Sequence, residues 1–443
     1  MRIQLSDHFT YPKLLRFVIP SVVMMVFNSI YSVVDGLFVS NFAGKTAFAA
    51  VNLIMPVLMG MGAVGFLIGT GGSAIVSMTL GEGRREDANR YFSMLIYITI
   101  ALGILLTAAV FPFLRPLSAA LGASGQMLED CVIYGGILLA FQTAFMLQCA
   151  FQSFLAAAEK PKLGLLVTVA AGMTNIVLDT LFVAVFRWGI VGAAAATVIG
   201  QMVGGGIPLV YFARENDSLL RLVPTSLEPK VLLKAAANGS SELMNNLSAS
   251  LVNMLYNLQL MRFAGENGVA AYGVIMYVNF IFSAIYFGYT LGAAPVISYH
   301  YGAQNRKELK GLFRKSLCIT AVTGGAMLLS AELLSGPLSR LFVGYDQELF
   351  QLTCRGFRVY ALSFLISGFN IFSSAFFTAL NNGGVSAAIS FLRTLVFQLM
   401  AILLLPVVLG MDGVWLAIVA AELLTLAVSV FFFAWGRRRY GYL

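Results

Sequence analysis

The sequence predicts an all-α integral membrane protein with about twelve transmembrane helices, arranged as two parallel six-helix repeats. The composition, the spacing of the apolar runs and an internal repeat support this prediction. Hydrophobic residues make up 59% of the 443 residues and charged residues only 11%, whereas a soluble domain carries about 25% charged residues. Most of the surface is therefore expected to face lipid rather than water.

Apolar runs separated by Gly, Pro and charged residues mark the spans, because about 20 apolar residues cross a bilayer as a helix. The first six are expected at 14–41, 50–79, 91–114, 128–156, 163–186 and 190–213. The second six are expected at 234–262, 270–300, 311–334, 349–379, 386–408 and 413–435. The polar stretch between the two sets predicts an N-lobe at 1–213, a cytoplasmic linker at 214–233 and a C-lobe at 234–443.

The two halves of the chain match each other at one constant offset. The sequence FAG at 42–44 recurs at 263–265, and PLS at 116–118 recurs at 337–339. Each half has an even number of predicted spans, so the second half begins on the same side of the membrane as the first. The repeats are therefore expected to be parallel and related by an axis along the membrane normal.

The charged loops predict the orientation and exclude some partners. If the N-terminus is cytoplasmic, most Lys and Arg fall on that side, including the runs at 84–85, 306–307 and 437–439. The positive-inside rule then places both termini in the cytoplasm. The net charge of +8 is spread over short loops, so nucleic acid is not an expected partner.

Motifs of soluble enzymes are missing from the sequence. It contains no GxxxxGK[ST] phosphate loop, no GxSxG elbow and no HExxH zinc motif. The four cysteines are not at metal-ligand spacing. We therefore expect no enzyme activity, no cofactor and no firm metal site.

Two carboxylates lie deep in predicted spans, Asp35 in the first and Asp179 in the fifth. Such a group is costly in a bilayer unless it faces a cavity or a partner, and it usually has a function. Asn28 is seven residues before Asp35, and Asn175 is four residues before Asp179, so each pair shares a helix face. We interpret these faces as the walls of a wet cavity whose carboxylates bind a cation.

A polar stripe runs along span seven at spacings of four, seven and four residues: Glu242, Asn246, Asn253 and Asn257. Amides and carboxylates are poorly accommodated in hydrocarbon, so this stripe is expected to face away from lipid. Two interpretations of Glu242 remain open. It is either a cavity acid or a carboxylate near a helix end that simply reaches water.

Span ten carries a milder stripe, for which we favour hydrogen bonding between helices over a transport role: Ser363, Ser367, Asn370 and Ser374. Arg393 lies inside span eleven and is expected to pair with a carboxylate. Glu422 lies inside span twelve, opposite Gln201 in the repeat, and is assigned no role.

Several segments resemble one family of membrane transporters. VVDGLFVSNFAG, NIVLDTLFV, GVAAYGV and VISYHYGAQN, together with the two-lobe repeat, are similar to the multidrug and toxic compound extrusion (MATE) family, in particular its MepA-like bacterial branch. The resemblance covers roughly residues 12–435. It implies a V-shaped pair of six-helix lobes that alternates between outward and inward openings.

The resemblance also implies secondary active efflux across the bacterial inner membrane. Small organic cations, amphipathic compounds or drugs would leave as H⁺ or Na⁺ enters, and the protein would act as a monomer among membrane lipids. Carried over to this chain, the ion-coupling residues are Asp35, Asn28, Tyr134, Asn175, Asp179 and Thr197. The substrate-cavity residues are Glu242, Asn246, Asn253, Asn257 and Asn370.

The identity of the coupling ion stays open at this point, because carboxylates with amide and hydroxyl neighbours suit both H⁺ and Na⁺. If the ion is Na⁺, Asp35, Asn175 and Asp179 are its expected ligands. Asn370 stands where some members of the family carry an Asp, which argues against an Na⁺ site built on that position in the C-lobe.

Two other functions are weighed against efflux. A flippase for lipids or lipid-linked oligosaccharides would be expected to line its cavity with several basic residues, but the spans contain chiefly Arg393. A scaffold without transport activity would not need buried acids that share helix faces.

Overall fold

The computed structural model describes residues 3–442, and within that range the chain is helical without a β-strand. Ten helices are long and apolar enough to cross a membrane, and one further pair, bent by 57°, passes the same test together. One of the ten, Pro229–Gly302, has 74 residues and breaks at Gly265, where φ is 58° and ψ is −145°. This helix therefore crosses twice, and the described chain has the twelve predicted spans.

The first half of the chain contains eight helices, of which two pairs form one span each. They are α1 (Tyr11–Phe38), α2 (Lys45–Gly81), α3 (Arg85–Val110), α4 (Leu114–Ala120), α5 (Gly125–Ala140), α6 (Gln142–Ala157), α7 (Pro161–Asp179) and α8 (Gly189–Ala213). The second half contains α9 (Pro229–Gly302), α10 (Arg306–Val343), α11 (Gln347–Ala379), α12 (Gly383–Phe391), α13 (Gln398–Leu409) and α14 (Met411–Tyr440). We call α1–α8 the N-lobe and α9–α14 the C-lobe.

The fourth predicted span, 128–156, is not one straight helix. It is divided at Phe141 into α5 and α6, which are bent by 57° relative to each other. The side-chain amide of Gln142 donates a hydrogen bond of 3.0 Å to the carbonyl of Leu58 in α2. Because this contact ties the bend to a helix distant in sequence, apolar periodicity alone does not predict it.

The linker packs along the N-lobe at the end of the bundle where both chain termini lie, which we call the terminal end. Arg85 donates to the carbonyl of Ser218, and the N–H of Arg221 donates to the Asn89 side chain. Hydrogen bonds from Lys160 and Tyr211 lower the pKa of Asp217 to about 2. The helix α9 begins at Pro229, inside the stretch 214–233 assigned to the linker, and the lobe boundaries at 213 and 234 stay a prediction.

The two lobes meet at the terminal end through glycines that let backbones touch. A Cβ on Gly71 of α2 would lie 2.0 Å from the carbonyl oxygen of Ala235 in α9. A Cβ on Gly239 of α9 would lie 1.9 Å from the carbonyl oxygen of Leu67 in α2. Only a residue without a side chain permits this approach.

The same contact occurs in duplicate closer to the helix ends. A Cβ on Gly81 would lie 2.0 Å from the carbonyl oxygen of Tyr299, and a Cβ on Gly302 would lie 2.1 Å from that of Met78. Gly81 and Gly302 are repeat equivalents, as are Met78 and Tyr299. The lobes therefore pack about a twofold axis at the terminal end.

Polar side chains are exposed in the parts of the same helices that lie away from the terminal end. Ser32 of α1, Asn52 of α2, and Asn246, Asn253 and Asn257 of α9 are all exposed. Exposure of amides to hydrocarbon is unfavourable. We therefore expect these residues to face a cleft between the lobes, toward the end opposite the terminal end.

The glycine contacts generate a prediction about stability. Gly239→Ala forces a methyl group against the Leu67 carbonyl, and overpacking of this kind costs about 1–3 kcal/mol. We expect the thermal denaturation midpoint of the detergent-solubilised protein to fall by several degrees. Gly273→Ala, in the same helix but with open space around its Cβ, should leave the midpoint unchanged or raise it, since Ala favours helix by about 1 kcal/mol over Gly. Equal midpoints for the two variants would contradict the role of these glycines.

Candidate functional site

A buried pocket in the N-lobe contains the two acids that the sequence singles out. Asp35 lies in the last turn of α1 and is 8% exposed, and Asp179 is the last residue of α7 and is 0% exposed. The Asp35 carboxylate lies beside Asp179, Asn175 and Thr197. Two helices far apart in sequence thus bring their carboxylates into one pocket.

The other predicted ion-coupling residues lie in or near this pocket. Tyr134 of α5 is fully buried, and its hydroxyl lies close to Asp35, Asp179 and Thr197. Thr197 of α8 donates a hydrogen bond to the carbonyl of Ala193. Asn28 lies on α1 roughly two turns before Asp35, and its side-chain oxygen is buried.

The polar atoms of this pocket are under-bonded. Within residues 3–442, a hydrogen-bond partner is lacking for both oxygens of Asp179, one oxygen of Asp35, the Tyr134 hydroxyl and both side-chain polar atoms of Asn175. Neither acid forms a salt bridge in that range. Buried polar groups are normally paired, and two carboxylates repel each other strongly in a low dielectric. A bound cation would relieve both costs at once.

Irregular helical turns follow both acids. A π-helical turn, Val39–Ala43, continues α1 beyond Asp35, and another, Thr180–Val185, continues α7 directly after Asp179. Single π-helical turns inside α-helices are often found at functional sites. A third such turn, Leu392–Phe397, contains Arg393 in the C-lobe.

Three further glutamines of the N-lobe are buried and under-bonded, and the sequence analysis assigned none of them a role. Gln148 and Gln152 of α6 and Gln201 of α8 each have a buried side-chain oxygen without a partner in the described chain. A Cβ on Gly204 would lie 2.6 Å from the side chain of Gln148. One turn away, a Cβ on Gly200 would lie 3.1 Å from the side chain of Asn175. The four-residue spacing of Gln148 and Gln152 inside an apolar helix is the signal that could have identified them.

The C-lobe contains a buried ion pair where the N-lobe has uncompensated acids. The Arg393 guanidinium donates to both carboxylate oxygens of Glu422 at 2.8–3.2 Å, and Glu422 is 1% exposed. Asn370 donates to Glu422 at 2.7 Å and accepts from Ser429 at 3.1 Å. The expected pairing of Arg393 with a carboxylate is confirmed, and Glu422, which had no assigned role, is that partner.

Glu242 is not near a helix end, which corrects one of the two interpretations of this residue. The helix α9 begins at Pro229, so Glu242 lies more than roughly three turns inside it. It lines a small pocket together with Asn245, Asn370 and Arg393. The carboxylate therefore faces the C-lobe ion pair across a polar pocket.

The remaining polar residues of spans seven and ten serve different purposes. Asn246 donates to the backbone carbonyl of Glu242, Asn253 accepts from the Tyr272 hydroxyl at 3.1 Å, and Asn257 is exposed. In α11, Ser374 contacts the hydroxyls of Ser386 and Ser390 in α12 at 2.9 and 2.8 Å. The expected hydrogen bonding between helices is thus confirmed for Ser374.

Comparison with known proteins settles the family. The MatE family model matches residues 20–181 and 243–403, one segment in each half of the chain.

The chain belongs to the MatE family. Its curated relatives include the multidrug export protein MepA of Staphylococcus haemolyticus strain JCSC1435, which is 22% identical over 422 residues, 95% of this chain and 92% of the relative. MepA of Staphylococcus aureus strain MSSA476 is also 22% identical, with 95% of this chain and 93% of the relative covered. These relatives are transporters and not enzymes.

Solved structures agree in fold with this MATE chain. A crystal structure of MATE in complex with MaL6 has a TM-score of 0.91 at 24% identity and covers 98% of this chain and 97% of its own. An outward-facing multidrug resistance MATE transporter of the MOP superfamily has a TM-score of 0.90 at 24% identity, with the same coverage. The two-lobe arrangement of about twelve membrane helices is therefore that of MATE transporters.

The C-lobe ion pair generates a prediction about stability. Glu422→Gln leaves the Arg393 charge buried without its counter-ion, and breaking a buried pair in this way costs about 3–5 kcal/mol. We expect a clear fall in the thermal denaturation midpoint. The double variant Arg393→Met, Glu422→Leu removes both charges and should recover much of the loss. A double variant as unstable as Glu422→Gln would contradict the view that an orphaned charge causes the damage.

Proposed function

We propose that this MATE protein exports cationic or amphipathic organic compounds in exchange for H⁺ or Na⁺ by alternating access. One observation carries the proposal: Asp35 and Asp179 share a buried pocket without a salt bridge to either acid in the described chain. Such a pocket is stable only if its charge is neutralised, and a transported cation can do this reversibly. The multidrug export function of the MepA relatives supports the same conclusion.

The orientation belongs to the proposal. The excess of Lys and Arg in loops at the terminal end supports a cytoplasmic location for both termini in a bacterial inner membrane. The cleft then opens outward, and the glycine contacts close the cytoplasmic end. Ions would reach the N-lobe pocket from outside in this state, and the protein would function as a monomer.

Coupling would arise from the charge state of the N-lobe pocket. Asp35 and Asp179 lie in the last turns of α1 and α7, so neutralising them by H⁺ or Na⁺ removes repulsion between two helices that meet there. Tyr134, Asn175 and Thr197 supply the hydroxyl and amide atoms that would orient the ion. Asn28 lies on the face of α1 along which the pocket would extend.

The ion gradient is large enough for useful export. An ion moving inward supplies about 2.3 kcal/mol per charge per 100 mV of membrane potential, and each pH unit adds about 1.4 kcal/mol. A gradient of two to three kcal/mol supports roughly 100-fold accumulation with one ion per substrate.

The substrate would bind in the cleft near the C-lobe. Glu242 is the acid on the cleft-facing stripe of α9, and Asn246, Asn253 and Asn257 extend that stripe. An organic cation would be held by the Glu242 carboxylate, with the amides as further hydrogen-bonding groups. Asn370 already donates a hydrogen bond to Glu422. It would therefore stabilise the helices behind this site and would not bind the substrate itself.

A flippase function receives no support from the geometry. A phosphate-bearing lipid headgroup needs available cationic groups, and the Arg393 guanidinium already donates three hydrogen bonds to Glu422. The cleft offers acids and amides instead, which suits cationic cargo.

The first test concerns ion coupling. Asp35→Asn and Asp179→Asn keep the size of each side chain but remove its charge, so each should reduce ion-driven export at least tenfold. The measurement is export of an ethidium-like dye from proteoliposomes under an imposed pH gradient or an imposed Na⁺ gradient. The gradient that drives the unmodified protein identifies the ion.

The matched control for this test is Glu215→Gln, an exposed acid in the linker, which should export the dye at the unmodified rate. If the Asp35→Asn and Asp179→Asn variants also retain the unmodified rate under both gradients, the coupling role is refuted.

The second test concerns cargo charge. Glu242→Gln should raise the dye concentration for half-maximal export about tenfold for a monovalent cation, since about 1.4 kcal/mol of attraction is lost. Export of a neutral amphipathic compound should change little. Glu266→Gln, an exposed acid in the same helix, is the control. A loss of equal size for cationic and neutral compounds would exclude charge recognition by Glu242.

A further inference from the structure

The chain's own N-terminal residues occupy a groove between the lobes at the terminal end. We call residues 3–9 the N-terminal strap. Leu5 and Phe9 are fully buried in an apolar cluster with C-lobe residues such as Val296, Leu309 and Phe313. The Phe9 ring also packs edge-on against His300, with 6.3 Å between ring centres. The apolar side of the strap is therefore fixed to the C-lobe.

Polar contacts hold the strap to the same lobe. One Glu308 oxygen accepts a hydrogen bond of 2.9 Å from the Phe9 N–H, and the other lies 2.6 Å from Nδ1 of His8. The Lys315 ammonium donates to the Phe9 carbonyl. Because charged groups take part, these hydrogen bonds are among the stronger ones.

The strap, which continues into α1, is also bonded to a more distant part of the N-lobe through a carboxylate. The N–H of Leu5 donates a hydrogen bond of 2.7 Å to Glu159, and both groups are buried. Glu159 lies in the turn between α6 and α7 and has a positive φ of 59°, a conformation that residues other than Gly seldom adopt. Next to α1, Asp7 pairs with Lys13 at 2.9 Å and the Phe9 ring packs against Phe17. Beyond α1, the described strap is bonded to the N-lobe at the strained turn of Glu159.

The repeat does not account for this contact. The equivalent turn of the C-lobe has Asn381 in the place of Glu159, with a positive φ of 57° and no carboxylate. The equivalent of Glu308 is Asp87, which pairs with Arg84 in its own loop. The repeat therefore does not explain why these two acids lie on either side of the strap.

We propose that the N-terminal strap is a latch that holds the terminal end closed and must leave Glu159 before the lobes can separate there. The proposal rests on the alternating access proposed above. Separation of the lobes at this end must break the contacts of the strap on one side. The hydrogen bond between Leu5 and Glu159 is expected to break first, because Glu308, Lys315 and the burial of Leu5 and Phe9 together hold the strap to the C-lobe. The groove between the lobes is therefore occupied by a segment of the same chain, residues 3–9.

The latch adds to other contacts between the lobes and does not replace them. The Ser298 hydroxyl donates to the Ala74 carbonyl at 3.0 Å, and the Asn381 side chain reaches Met78 at 3.2 Å. Loss of the latch should therefore shift the balance between closed and open forms without abolishing the closed form.

The test attaches one spin label to each lobe at the terminal end and measures the distance between the two labels by double electron–electron resonance spectroscopy. Labels are placed at Glu86→Cys and Lys307→Cys, exposed and equivalent positions of the two lobes, after the accessible Cys318 and Cys354 are replaced by Ser. Glu159→Gly removes the acceptor while favouring the backbone conformation of the turn. We expect the ratio of long to short distances to rise about tenfold, which corresponds to one charge-assisted hydrogen bond.

Gln304→Gly is the matched control, because Gln304 also has a positive φ, of 53°, and lies at the same end. It should leave the distances unchanged. A second pair of variants tests the contact of the strap with Glu308. Glu308→Gln should raise the ratio of long to short distances, and Asp87→Asn should leave that ratio unchanged. Thermal denaturation of each variant confirms folding.

An unchanged distance distribution in folded Glu159→Gly and Glu308→Gln proteins would overturn the latch, as would an equal shift in the two controls. The measurement needs neither substrate nor an ion gradient. A failure of the latch is thereby distinguished from a failure of ion-coupled export, which the dye assay reports separately.

Discussion

The organisation of this protein depends on the cost of burying charge in a low dielectric. An isolated carboxylate inside a bilayer is unfavourable by several kcal/mol, and the two lobes meet that cost differently. In the C-lobe, Glu422 is neutralised by Arg393 and further bonded to Asn370. In the N-lobe, Asp35 and Asp179 lie side by side without a cationic residue bonded to either in the described range. The two lobes share one repeated scaffold, but one lobe neutralises its buried acid with an arginine and the other leaves two buried acids without a bonded cationic residue in the described range.

The close contacts between the two lobes are formed at glycine residues. The contacts of Gly71 and Gly239, and of Gly81 and Gly302, bring backbone against backbone only toward the terminal end. Such surfaces fit in one arrangement or separate, because close-packed interfaces deform little. The exposed amides of α9 lie beyond these contacts, where the cleft begins. The alternating access that we propose would separate the lobes at these glycine contacts, which stabilise the observed form.

The sequence predicts the spans, the parallel repeat and the N-lobe pocket because these follow from periodicity. Asp35 and Asp179 are identified from the sequence because a carboxylate inside an apolar span is costly and usually has a function. The bend at Phe141, the position of Glu242 well inside α9 and the pairing of Arg393 with Glu422 depend on contacts between helices far apart in the chain. The strap is the clearest case, because Glu159 and Glu308 look like ordinary loop acids until the fold brings residues 3–9 between them.

The exchange proposed above requires that ion and cargo compete, and the asymmetry between the lobes offers a physical reason for this competition. Neutralising the N-lobe acids changes the interaction of α1 with α7, and α1 also packs on α9 through Val18 and Gly292. Glu242 lies on α9, so a change at the ion pocket has a short route to the cargo wall through packed helices. The strap leads directly into α1 and is fixed to the C-lobe, which makes the position of α1 sensitive to both lobes at once. A single helix then connects the ion pocket, the cleft and the closed end.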